Sequence, residues 1–172
     1  MILETLLFGL VMLPSDGSQL LPSPSQTCNV TRPNGVVAGS ADPSPGSYGA
    51  AGLSTFGLWP NGVVVLRPGG SGFITTDGAL GMKFPWQRGV RGELTISGRR
   101  LDGDAPPLRA LVPAGYGDQG FQATSLIFPT EGCWEVTGRV GDASLTFVTS
   151  VVKIGDGPAW RREGHNFSAS AP

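Results

Sequence analysis

The chain is short of charge, of histidine and of cysteine. Only 15 % of its 172 residues are Asp, Glu, Lys or Arg, and they nearly cancel to a net charge of −1. An average globular protein carries roughly 25 %. Without a basic excess the chain lacks the electrostatic footprint of a nucleic-acid binder, and no nucleic acid is expected as a partner. The single histidine, His165, stands near the C-terminal end. A Ser-His-Asp triad needs an imidazole held in a groove, and a zinc centre needs clustered Cys and His. One late histidine and two distant cysteines supply neither. No apolar run reaches the roughly 20 residues that cross a bilayer, so no transmembrane span is expected. The glycines stand singly or in pairs between strand-like segments, with no following helix whose N-terminus would hold a phosphate. No catalytic residue, metal or cofactor is expected.

Glycine and proline are abundant instead, at 27 and 15 residues. Both disfavour helix interiors and favour turns. Between them lie short apolar or alternating runs, and no helical period. Leu53 to Trp59 and Val63 to Arg67 flank Pro60-Asn61-Gly62, which predicts a hairpin, because Asn and Gly accept positive φ. Leu80, Met82, Phe84 and Trp86 alternate with Gly81, Lys83 and Pro85. That is a half-buried strand lying at an edge or breaking at Pro85, which has no N–H to donate. Leu94 and Ile96 mark another strand, Leu108 to Val112 a short one, and Phe121 to Phe128 one ended by Pro129. In GCWEVTGRVGDASLTFV, Trp134, Val136 and Val140 share a face. Gly141 to Ser144 turn, and Leu145, Phe147, Thr149 and Val151 continue. Seven or eight closely spaced strands predict an all-β antiparallel sandwich, with a closed barrel as the alternative.

The apolar run ILETLLFGLVML has the length of a signal-peptide core, and Ser15-Asp16-Gly17 puts small residues after it. No basic residue precedes the run, and Glu4 lies within its start. The reading is a signal-like apolar segment with a Pro/Ser linker over 1–27, a β-sandwich over 28–154 and a mobile tail over 155–172. A secreted or extracytoplasmic location follows.

Cys28 opens the domain and Cys133 begins its penultimate strand. In a secreted chain an even pair implies a disulfide, here one that ties a first strand to the sheet. The rival is a nucleophilic thiol, whose usual base is a histidine, and His165 is the only one.

Cys28-Asn29-Val30-Thr31, LGMKFPW and GCWEVTGRVG with its last strand carry a resemblance. Together they resemble an uncharacterised family of bacterial extracytoplasmic proteins over most of Cys28 to Lys153. The resemblance implies an exported, immunoglobulin-like sandwich and brings no activity with it.

Acidic residues offer two further candidates. Asp102-Gly103-Asp104 has oxygens for calcium but not the ligand run of a calcium loop, and Asp-Gly is an ordinary turn. Glu131 and Glu135 flank Cys133-Trp134 and would serve a carboxylate-dependent, glycosidase-like hydrolase if they met in one cleft. The stronger candidate is a surface. Trp86, Arg88 and Arg91 stand in one turn, and Tyr116, Asp118 and Gln119 in a glycine-jointed loop. Aromatic rings with guanidinium and amide groups suit sugar faces or peptide edges. The expected function is a non-catalytic binding or structural module. Its partner would be a protein, a glycan or a cell-envelope component, and a structural subunit of an envelope assembly is a further possibility.

Overall fold

The computed structural model describes residues 27–56, 58, 61–67 and 69–155. Apart from Thr27 and Gly155, the signal-like segment and the tail with His165 lie outside them. All regular structure among the described residues is β, and no helix there is long and apolar enough to cross a membrane.

Among the described residues there are twelve strands rather than seven or eight: bends split the Leu80–Trp86 and Phe121–Phe128 runs, and Tyr48–Ala50 and Gly72–Ile74 form two strands that the sequence reading did not mark. They are β1 (Tyr48–Ala50), β2 (Leu53–Thr55), β3 (Val63–Leu66), β4 (Gly72–Ile74), β5 (Leu80–Lys83) and β6 (Trp86–Arg88). They continue with β7 (Thr95–Arg100), β8 (Arg109–Leu111), β9 (Gly120–Gln122), β10 (Ser125–Phe128), β11 (Gly132–Val140) and β12 (Ala143–Lys153). They form three four-stranded sheets, ordered β1-β2-β6-β9, β4-β5-β10-β8 and β3-β12-β11-β7. No barrel closes.

The first two sheets share one register. Lys83 faces Ser125 in one and Trp86 faces Gln122 in the other, and Phe84 N–H donates to the Thr124 carbonyl at 2.9 Å between them. Pro85 has no N–H to carry the ladder further. The chain breaks there as its sequence predicts, but neither β5 nor β6 is an edge strand. Both sheets are thus joined along one bent pair of chain segments.

The third sheet is built on the predicted closing hairpin. Val140 faces Ala143 across Gly141-Asp142, a tighter turn than the expected Gly141 to Ser144. Trp134, Val136 and Val140 are buried on β11, and Leu145, Phe147, Thr149 and Val151 on β12. They meet residues of the bent pair. Phe84 stacks on Phe147 with centroids 5.4 Å apart, and Phe128 meets Trp134 edge-on at 5.6 Å. Both arrangements are favoured by aromatic quadrupoles.

The expected Asn61-Gly62 hairpin does not form. Gly62 does turn, at φ 71°. However, β2 pairs with β1 and β6, whereas β3 runs parallel to β12. The turn carries the chain from one sheet to another. Gly62 is pinned there by Thr149 Oγ1, which donates to its carbonyl at 2.8 Å, and a Cβ would lie 2.4 Å from the Thr31 carbonyl oxygen. Close backbone approach, rather than hairpin geometry, requires this glycine.

The Cys28–Cys133 disulfide is formed, with Cα atoms 5.4 Å apart. It anchors an irregular segment, not the first strand expected. Thr31 bonds Val148 in both directions, its N–H to the carbonyl at 2.8 Å and its Oγ1 from the Val148 N–H at 2.9 Å. The disulfide and this segment explain why Cys133, on the opposite side of β11 from Trp134, is buried as well.

Candidate functional site

Alternation on β6 settles the fate of two expected surface residues. Trp86 and Arg88 point inward and are 0 % and 2 % exposed. Trp86 packs against Phe147 and over Gly138, and its indole N–H is buried without a hydrogen-bond partner. Neither residue belongs to a ligand-facing surface. Trp86 is core because it continues the Leu80–Phe84 stripe across the Pro85 bend.

Arg88 is buried among backbone oxygens. Its Nη1 donates to the Gly92 carbonyl at 2.8 Å, and its Nη2 to the carbonyls of Tyr116 and Gly117 at 3.1 and 2.9 Å. Nε is left unpaired. Arginine suits this position because its planar fork aims several donors at once. The loop over 113–119 is thereby held from beneath. Gly92 N–H adds a bond to the Asp118 carbonyl at 2.7 Å. Gly115 and Gly117 take φ values of 91° and 69°, which bend the loop sharply enough to present those carbonyls inward.

The loop holds Tyr116 outward. Its ring meets that of Phe121 with centroids 5.9 Å apart and planes tilted by 56°. The two side chains are 38 % and 51 % exposed. Tyr116 is the shared wall of two grooves. One, of about 580 Å³, is bounded by Lys83, Leu111, Val112, Pro113 and Ala123. The other, of about 320 Å³, is bounded by Glu93, Leu94, Pro113 and Asp118. Both fall in the size range of small-molecule sites.

Of the other expected surface residues, Asp118 lines the smaller groove, and Arg91 and Gln119 lie at the ends of the same loop contacts. Arg91 Nη1 meets Asp118 Oδ2 at 2.9 Å, with both side chains largely in solvent. Gln119 Nε2 donates to the Gly89 carbonyl at 2.8 Å. Phe121 and Leu111 are the members that sequence reading missed. On β9 Gln122 is buried and Phe121 faces out, and on β8 Leu111 is exposed beside the half-buried Ala110, but the run offered no clean parity to read, because Ser125 and Ile127 are buried alongside Leu126 and Phe128.

The other acidic candidates are engaged separately. Glu135 pairs with Arg99 at 2.9 Å across the β7–β11 ladder, while Glu131 Oε1 accepts from the Lys153 N–H at 2.5 Å. Asp102 pairs with Arg100 at 2.7 Å. Burial pushes the Asp102 carboxyl up, but bonds from Arg100 and from the Cys133 backbone outweigh this and hold it below its ordinary value. Asp77, on the exposed rim near Arg109, is lowered by a bond from Thr75 and then by Arg109. Among the described residues no three His, Cys, Asp or Glu side chains gather as a metal-holding group.

No protein-family model matches the chain, and no curated protein matches it in sequence. Among solved structures it is similar to the crystal structure of domains 4 and 5 of the S-layer protein SbsC, at 14 % identity and a TM-score of 0.35. The match covers 52 % of this chain and 41 % of that one.

Proposed function

We propose that the chain is an immunoglobulin-like β-sandwich acting outside the cytoplasm as a non-catalytic binding module, with the Tyr116 loop as its binding face. The Cys28–Cys133 disulfide supports the compartment, because such bonds persist in oxidising surroundings. The aromatic packing of the bent sheet pair against β11 and β12 supports the sandwich. One observation carries the binding role: a solvent-facing aromatic pair sits beside a loop held from beneath by a buried arginine. A face ordered before its ligand arrives avoids the entropy of ordering on binding.

Co-sedimentation with isolated bacterial envelope material tests this. The wild-type chain is expected to partition into the pellet, and Tyr116→Ala to remain in solution with its fold intact by circular dichroism. Equal partitioning of the two proteins would reject the Tyr116 face as the binding site.

A further inference from the structure

We infer that the ligand of the Tyr116 face is a neutral glycan laid across the Tyr116 ring, with one sugar in each flanking groove. The inference rests on the reading above that this face binds. Three features select the class. The first is aromatic. Tyr116 and Phe121 offer ring surface to solvent at an angle of 56°, and the C–H-rich face of a pyranose packs on such surface while its hydroxyls point to the sides. The apolar groove beyond them is walled by Leu111, Val112 and Pro113.

The second is polar. Hydroxyls need donors and acceptors close together, and the Arg91–Asp118 pair provides both within 2.9 Å. Gln119 is fixed through its Nε2 on the Gly89 carbonyl, leaving its Oε1 to accept from a hydroxyl.

The third is charge balance. The exposed charges around the two grooves are Lys83 and Arg91 against Glu93 and Asp118, and they cancel. The Arg88 guanidinium is turned inward to carbonyls. An ionic ligand finds no field of one sign here, and a neutral one needs none.

An extended peptide is the competing occupant, and β9 is an edge strand. Its addition as a further strand would need free backbone acceptors beside β9. Gln122 Nε2 donates to the Ala123 and Pro113 carbonyls, at 3.1 and 2.9 Å, which ties the end of β9 to the loop, and the three residues of β9 offer a peptide only a short ladder.

The test uses the full chain with its disulfide formed. Affinity electrophoresis and calorimetry would probe soluble α-glucan, β-glucan, mannan, xylan and the N-acetylglucosamine tetramer. Carboxymethylated unfolded casein serves as the polypeptide probe, and the envelope sedimentation assay runs in parallel. At least one neutral glycan is expected to bind, about tenfold more weakly to Tyr116→Ala or Phe121→Ala and nearly unchanged to Tyr116→Phe. Its affinity should change less than about twofold as salt rises through the range that screens surface charge. Both substituted side chains are exposed, and circular dichroism would verify that the variants fold. If no glycan binds, or if binding survives both alanine variants, the inference is wrong. Envelope binding that is lost in Tyr116→Ala while all the glycans fail would retain the face and reject the glycan. Envelope binding indifferent to Tyr116→Ala would reject both. Binding of the casein probe alone would transfer the site to polypeptide.

Discussion

Gly138 of β11 lies against the indole of Trp86. A Cβ there would stand 2.5 Å from Trp86 Cη2 and Cζ3. The contact joins the central hairpin to β6, and Phe147 flanks the same indole at 6.1 Å between centroids. Gly138→Ala is therefore expected to lower stability by about 1–3 kcal/mol, the ordinary cost of overfilling a packed core. Chemical denaturation would show a lower midpoint. An unchanged midpoint would mean that Trp86 has room to move.

The disulfide closes a separation of 105 residues. Replacing both Cys28 and Cys133 with serine is expected to cost about 2–5 kcal/mol. Reductant should move the wild-type urea midpoint to that of the double variant and leave the variant unmoved. A wild type indifferent to reductant would show that the N-terminal segment is held by the hydrogen bonds of Thr31 to β12.

Arg88→Met would remove the donors to Gly92, Tyr116 and Gly117 while keeping an apolar stem in the core. Buried carbonyls left unpaired cost about 1–3 kcal/mol, and losing a buried cation offsets part of that. The loss should be local. Amide exchange should accelerate at Gly92, whose N–H bonds the Asp118 carbonyl, and stay slow in β11. Uniform acceleration would make Arg88 a core residue with no special hold on the loop.

Asp77 and Asp102 both titrate below the ordinary value of 3.8 in the folded protein. A depressed folded pKa gives stability that is present above the unfolded value and lost as pH falls through the folded one. Thermal midpoints should hold on the acid side down to about pH 4 and decline below it. Asp77→Asn and Asp102→Asn should each make that decline shallower. An identical decline in both variants would place the acid sensitivity at other carboxylates.

Much of the fold was legible from period-two alternation. The faces of β11 and β12 followed from Trp134, Val136, Leu145 and Phe147, because side chains on a strand point alternately and only one set reaches the core. The break at Pro85 followed from its missing N–H, and the Cys28–Cys133 pairing from an even count. Part of the candidate face was legible too, since a glycine-jointed loop bearing Tyr116, Asp118 and Gln119 belongs at a surface.

Alternation is a local signal, and it does not say which distant edge a strand will join. Asn61-Gly62 turns as its chemistry dictates, yet only the tertiary fold sent β3 to lie parallel to β12 instead of folding back on β2. Arg88 shows the same limit in a side chain. Its charge favours the surface until the carbonyls of Tyr116 and Gly117, 28 and 29 residues away, converge on its guanidinium. Phe121 shows the converse, an apolar ring left outside because its strand gave the inward positions to its neighbours. Local pattern and composition settled that the described residues are all-β and that the chain breaks at Pro85. Which groups meet, and so where an arginine lies buried and a phenylalanine exposed, was decided by packing between segments far apart in the chain.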